Sequence, residues 1–132
     1  VSLDNASAEA IAERWFANGK MIKTLADAYD IDVLFVWQPA LFAKQTLVGD
    51  ESRILDDLEA NSTGFIELYQ QVDLIVRERI VNQNLDYILV LTDLFEDDDR
   101  AIFYDLVHIT EIGNLVVAEA ILPVLHDFLK IN

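Results

Sequence analysis

Two short runs of uninterrupted apolar residues constrain the fold more than any other feature of this chain. The runs are Val33-Leu34-Phe35-Val36-Trp37 and Tyr87-Ile88-Leu89-Val90-Leu91, both rich in β-branched and aromatic side chains. A run of this length and composition is typical of a strand covered on both faces, as strands of parallel sheets are. Pro39 is expected to end the first strand, because proline has no N–H to donate to a sheet.

A long helix is predicted near the N-terminus, before the first strand. A short helix is predicted after that strand. Asn5 or Ser7 can cap the first helix, and Ser52 is expected to cap the short helix that ends at Ala60. The apolar residues that share one face of the first helix are Ile11, Trp15, Ile22, Leu25, Ala26 and Tyr29.

Two further long helices are predicted, one starting near Phe65 and one running from about Thr110 into Leu129. Pro123 lies inside the last helix and is expected to kink or restart it, because proline removes a backbone hydrogen bond. The inward-facing residues of the helix near Phe65 are predicted to be Phe65, Leu68, Tyr69, Val72, Ile75, Val76 and Ile80. Those of the last helix are Ile112, Val116, Val117, Ala120, Ile121, Val124, Leu125 and Phe128.

The order of predicted elements is helix, strand, two helices, strand, loop and helix. This alternation predicts an α/β fold with a parallel sheet and helices on both of its faces. Two strong strands are too few for such a sheet to be stable by itself. They would also leave an apolar sheet edge uncovered, which is unfavourable. Residues 1–132 are therefore expected to be a single unit that forms part of a larger domain. A start at Val1-Ser2-Leu3 without Met supports that expectation.

Charge and composition exclude several classes of function. The 24 acidic and 9 basic residues give a net charge of −15, which repels phosphate backbones and anionic lipid, so no nucleic-acid partner is predicted. The apolar runs are too short and too often interrupted by charge for a membrane span. The absence of cysteine excludes a disulfide scaffold and a thiolate metal site.

An aspartate and a histidine three residues apart form the candidate catalytic pair. Asp105 can accept the Nδ1–H of His108, fix its tautomer, and leave Nε2 free to take a proton from a nucleophile. The pair precedes Thr110, the expected N-cap of the last helix. The alternative interpretation is a solvated loop histidine beside an aspartate that stabilises a turn.

The sequence from Asp105 onward resembles the last sequence block of the SGNH (GDSL-type) esterase and lipase family. The matching residues are Asp105-x-x-His108, Thr110, Gly113-Asn114 and the apolar helix that follows, while Val33–Pro39 is similar to a family strand that ends in Gln-Pro. The resemblance implies a three-layer α/β/α sandwich of flavodoxin-like architecture. It also implies that His108 is the general base and Asp105 its orienting carboxylate, acting without a cofactor on a small-molecule carboxylic ester.

The sequence lacks the other functional blocks of that family. Neither the Gly-Asp-Ser block of the nucleophile nor the Gly-x-Asn-Asp block of the oxyanion hole is present. The most similar string, Gly49-Asp50-Glu51-Ser52, has an extra residue and follows no strand. The resemblance therefore implies the C-terminal half of an SGNH domain, inactive alone. The partner that covers its sheet edge would be the missing N-terminal half or a second copy in a homo-oligomer.

Two further polar residues follow the predicted strands. Gln38 and Asp93 lie at the carboxyl ends of strands, where α/β proteins place their binding loops, and are candidate substrate-binding residues. Gln38 alternatively satisfies loop backbone groups. The four consecutive acids Glu96-Asp97-Asp98-Asp99 suggest a cation, but they lack the calcium-loop pattern. They are therefore predicted to lie in a solvated loop, and no metal site is expected.

Two other functions are compatible with the sequence. One is a non-catalytic α/β interaction module that assembles through its exposed sheet edge. The other is a flavodoxin-like or receiver-like domain in which Asp93 lies near a phosphate or a metal, although the Gly-rich phosphate loop is missing.

Overall fold

The computed structural model describes residues 5–129, so Val1-Ser2-Leu3 lie outside the described part of the chain. Within that range the fold is mixed α/β, with four α-helices, a short 3-10 turn at Leu41–Ala43 and two strands. The helices are α1 (Asn5–Ala28), α2 (Glu51–Asn61), α3 (Phe65–Gln83) and α4 (Glu111–Leu129). The strands are β1 (Phe35–Trp37) and β2 (Ile88–Val90).

The two strands pair in parallel, and both lie inside the apolar runs that predicted them. Phe35 is opposite Ile88, and Trp37 is opposite Val90. The Phe35 N–H also donates to the Tyr87 carbonyl at 2.8 Å, which extends the ladder by one bond. The α/β class and the parallel pairing predicted from the sequence are therefore confirmed.

The chain forms two compact units, each built from two segments. The first unit comprises residues 5–37 and 58–90, and the second comprises residues 38–57 and 91–129. The first unit therefore contains the sheet, and the second contains Asp105 and His108. Within residues 5–129, no helix combines the length and the apolar character that crossing a bilayer requires.

The core of the first unit lies between α1 and α3. Small residues of α1, Ala8 and Ala12, are fully buried against Leu68, Val72 and Val76 of α3. The face predicted for α3 is confirmed at these three positions. Small side chains let two helix backbones approach closely, so α1 uses alanines for this contact.

The apolar face predicted for α1 is only partly packed. Trp15 packs against the core of the first unit and Ala26 is buried. Leu25 and Tyr29, however, are 60% and 72% exposed. The large apolar residues of α1 therefore extend beyond the side that contacts α3.

A buried acid joins β1 to α3 inside the first unit. Asp73 accepts a hydrogen bond from Trp37 Nε1 at 2.7 Å and another from Arg77 Nε at 2.7 Å. A buried carboxylate needs such partners, because an unpaired charge in the interior is costly. The two bonds fix Trp37 at the end of its strand.

The core of the second unit is formed by Leu41, Phe95, Ile102 and Phe103. Phe95 and Phe103 meet edge to face, with ring centroids 5.7 Å apart. Two residues from the predicted inward face of α4, Val116 and Val117, pack against this cluster.

Several details of the helices differ from the sequence predictions. Ser52 is not the N-cap of α2, because the Ile54 N–H donates to the Asp50 carbonyl and the helix begins at Glu51. Helix α4 continues through Pro123 without interruption, so the proline does not restart it. Ile112 is exposed rather than inward-facing. Phe128 lies outside the residues whose side chains are described.

Candidate functional site

A tight loop in the second unit carries the candidate catalytic pair. Phe103 and Ile109 form an antiparallel bridge at its base. The Tyr104 N–H donates to the His108 carbonyl at 2.8 Å, and the Thr110 N–H donates to the Ile102 carbonyl at 2.7 Å. The backbone on both sides of the loop is therefore held by hydrogen bonds.

Helix α4 begins directly after this loop. The Thr110 side chain accepts a hydrogen bond from the Gly113 N–H at 3.3 Å, which confirms Thr110 as the N-cap. The Asn114 N–H donates to the Thr110 carbonyl at 2.9 Å. The capped helix fixes the C-terminal side of the loop.

The structure brings Asp105 and His108 together. Asp105 Oδ2 lies 2.7 Å from His108 Nδ1. Asp105 Oδ1 accepts hydrogen bonds from the backbone N–H groups of Val107, at 2.9 Å, and His108, at 2.8 Å. The carboxylate is thus held by the backbone of its own loop while it contacts the imidazole.

These hydrogen bonds decide the protonation of the aspartate. Partial burial opposes its charged form, but the bonds from the His108 and Val107 N–H groups and from the imidazole hold the pKa of Asp105 below its usual value. An ionised carboxylate can only accept hydrogen bonds, so His108 Nδ1 is the donor. When the imidazole is neutral, its Nε2 therefore carries a lone pair.

The imidazole is open to solvent. The His108 side chain is 78% exposed and that of Asp105 is 54% exposed. An oriented imidazole with an accessible Nε2 can act as a general base or as a nucleophile.

No protein-family model, curated protein or solved structure matches this chain.

The other two predicted site residues lie outside the hydrogen-bonded pair. Gln38 is exposed directly after β1, and Asp93 is exposed in the turn that follows β2, where its carbonyl accepts the Glu96 N–H at 3.0 Å. The hydrogen bonds described for Asp105 and His108 include neither residue. Gln38 and Asp93 share the second unit with the pair.

The acidic run begins at the end of the turn after β2. Asp98 accepts hydrogen bonds from the side chain and the backbone N–H of Arg100. In the described range, no group of three or more His, Cys, Asp or Glu side chains is arranged to hold a metal ion.

Sequence reasoning missed a buried ion pair in the second unit. Lys44 and Glu51 lie in the core, where Glu51 is only 1% exposed and Lys44 Nζ donates to Glu51 Oε2. Lys44 Nζ also donates to the Arg100 carbonyl at 2.6 Å. Hydropathy does not reveal such a pair, because charged residues are predicted to lie at the surface.

Glu51 accepts three backbone hydrogen bonds in addition to the lysine. Its Oε2 accepts the Val48 N–H at 2.9 Å, and its Oε1 accepts the N–H groups of Ile102 at 2.8 Å and Phe103 at 3.1 Å. Burial raises the pKa of Glu51, but Lys44 and the three N–H donors outweigh it and set the pKa below its usual value. The buried carboxylate is therefore ionised at neutral pH.

Proposed function

We propose that Asp105 and His108 are the orienting carboxylate and the general base of an SGNH-type serine ester hydrolase. The observation that carries the proposal is the 2.7 Å contact between Asp105 Oδ2 and His108 Nδ1, which leaves Nε2 as the accessible nitrogen. The chain would be the C-terminal half of a three-layer α/β/α domain. Another polypeptide segment would supply the serine and the oxyanion-hole donors.

In this mechanism, His108 Nε2 takes the proton of the serine hydroxyl as the serine oxygen attacks the ester carbonyl carbon. The resulting imidazolium, stabilised by ionised Asp105, then gives that proton to the leaving alkoxide. Water repeats the sequence on the acyl-enzyme and releases the carboxylic acid and the free serine. Since loss of one oxyanion donor costs roughly 10²–10³ in rate, residues 1–132 without nucleophile and oxyanion hole are expected to be nearly inert.

The test is hydrolysis of a short-chain nitrophenyl ester by the complete gene product. His108→Ala should abolish both the hydrolysis and the labelling of the nucleophilic serine by a fluorophosphonate. His126→Ala is the matched control, since His126 is the only other histidine and lies exposed on α4. A folded product without esterase activity, or one whose activity survives His108→Ala, would exclude the hydrolase.

A second candidate is the non-catalytic interaction module. It is favoured by the sheet, in which β1 and β2 each have one strand neighbour among the described residues. Exposed apolar residues on α1 of the same unit, Met21 and Leu25, also favour it. In this case the first unit would assemble with a second copy of the chain, and Asp105 would only stabilise its turn.

A further inference from the structure

The loop that carries Asp105 and His108 is held by hydrogen bonds to Glu51 as well as by hydrogen bonds between its own residues. Ile102 and Phe103 form the arm that enters the loop, and the N–H groups of both donate to Glu51 Oε1. The same arm is bonded on its other side, where the Ile102 carbonyl accepts the Thr110 N–H. Glu51 and the start of α4 therefore hold the arm between them.

The segment that contains Lys44 and Glu51 contacts the loop at a second point. The Leu41 N–H donates to the Leu106 carbonyl at 2.9 Å, and Leu106 lies between Asp105 and His108 in the chain. Lys44, three residues after Leu41, bonds both Glu51 and the Arg100 carbonyl. Residues 41–51 thus form hydrogen bonds with the loop at two places, at its base and within its turn.

A buried ion pair by itself contributes little to the stability of a folded protein. Well-packed apolar residues in its place are often neutral or stabilising, because the charges lose their hydration on burial. Hydrogen bonds to a carboxylate, in contrast, prefer certain directions and a narrow range of lengths. The two oxygens of Glu51 set the positions of three N–H groups from two separate segments.

We propose that Glu51, held in place by Lys44, is a positioning residue that fixes the loop in the geometry in which Asp105 meets His108. The catalytic meaning of this role rests on the proposed ester hydrolase. The role itself concerns the orientation and tautomer of His108, which can be measured without any activity.

The experiment records the tautomer of His108 by ¹⁵N NMR in the 132-residue chain, with His126 as an internal reference. Two variants disrupt the hydrogen bonds of Glu51. Glu51→Gln keeps one acceptor oxygen and replaces the other by an NH₂ group, which cannot accept a hydrogen bond. Lys44→Met/Glu51→Leu replaces both charged residues by apolar residues of similar size, so it removes the same hydrogen bonds without leaving an unpaired buried charge.

The unchanged chain should show His108 with its proton on Nδ1. In both variants the His108 signals should shift toward the tautomer mixture of a free imidazole, while His126 is unaffected. Leu55→Ala is the matched control: it removes packing against the same core but no hydrogen bond to the arm. It should lower stability and leave the His108 tautomer unchanged.

A folded Lys44→Met/Glu51→Leu variant that keeps the Nδ1–H tautomer would overturn the positioning role. A shift of equal size in Leu55→Ala would overturn it too, because general destabilisation would then explain the effect. In the complete gene product, the same variants should lower kcat and leave KM unchanged. If the tautomer shifts but the complete product hydrolyses no ester, the positioning role stands and the proposed hydrolase fails.

Discussion

At the scale of single residues, Asp105 explains how an exposed imidazole is held in one orientation. Surface ion pairs contribute little to the stability of a fold, since water competes for both partners and the side chains lose entropy. Here two backbone N–H groups donate to Asp105 Oδ1 while Oδ2 contacts the ring. The preorganisation belongs to the loop backbone rather than to the ion pair.

Asp105→Asn should invert the tautomer of His108. The asparagine oxygen can still accept the backbone N–H groups, but its NH₂ group then faces Nδ1 and places the imidazole proton on Nε2. If the proposed ester hydrolase is correct, its kcat should fall by roughly 10⁴ in this variant, the loss typical of a triad with the wrong tautomer. Steady-state hydrolysis of a nitrophenyl ester measures it.

Asp97→Asn is the control for that variant, because Asp97 is an exposed aspartate in the turn of the same unit. It should leave both kcat and the tautomer unchanged. An Asp105→Asn enzyme with ordinary kcat would show that the pair stabilises only the turn.

The stability that ionised Asp105 contributes should be lost at low pH. Because the pKa of Asp105 is below its usual value, the stability from its ionised form is fully present above the pKa of an unfolded aspartate, about 3.9. That stability is lost as the pH falls through the lower pKa of the folded chain. Carboxyl ¹³C NMR should give an Asp105 midpoint below that of a free aspartate. A midpoint at or above it would contradict the hydrogen bonds that Asp105 accepts from Val107 and His108.

At the scale of secondary-structure elements, the start of α4 depends on close packing. Gly113 is buried in the first turn, and a Cβ at this position would lie 3.0 Å from Ile102 Cγ2 and 3.0 Å from Ile109 Cβ. Both contacts involve residues at the base of the Asp105–His108 loop. The absence of a side chain at Gly113 therefore lets α4 approach that base.

Gly113→Ala and Gly19→Ala should change stability in opposite directions. Gly113→Ala should destabilise by about 1–3 kcal/mol, because the added methyl overpacks a tight contact. Gly19 lies inside α1, and a Cβ at this position would meet no heavy atom of another segment within 4 Å, so Gly19→Ala should stabilise by roughly 0.5–1 kcal/mol through helix propensity. Urea unfolding of both variants measures the difference, and stabilisation by Gly113→Ala would contradict the close packing.

Helix α2 begins with Glu51, which forms hydrogen bonds with Lys44 and with the backbone of Ile102 and Phe103. Glu51→Gln leaves Lys44 buried without its counter-charge, so the free energy of unfolding should fall by about 3–5 kcal/mol. Asp56→Asn, an exposed change on the same helix, should stay within about 0.5 kcal/mol of the unchanged chain. A similar small effect of Glu51→Gln in urea unfolding would show that the pair is not buried in solution.

At the scale of the whole molecule, acidic charge and exposed apolar surface have opposite effects on association between copies of the chain. A net charge of −15 repels a second copy of the chain, and salt screens that repulsion. The apolar residues of α1 and the two-stranded sheet favour a partner. The balance decides whether the chain is a monomer.

If the interaction module is correct, sedimentation velocity at moderate salt should give a mass above 15.0 kDa. Leu25→Glu should restore the monomer, because it places a charge in the apolar face of α1. Val81→Glu is the control with the same added charge, since Val81 is an exposed apolar residue on α3. A stable monomer for the unchanged chain would exclude self-assembly.

The sequence alone determined the elements and the pair that lies within one loop. The strands follow from two apolar runs, and the contact between Asp105 and His108 spans three residues, so local spacing is enough to place both groups together. Only the tertiary structure decided that Glu51 meets Ile102, 51 residues later in the chain, and that α1 packs through its alanines. The physical reason is that hydropathy and spacing encode backbone periodicity and local contacts. Which segments pack together, and which buried charge satisfies which N–H, depends on how the chain folds.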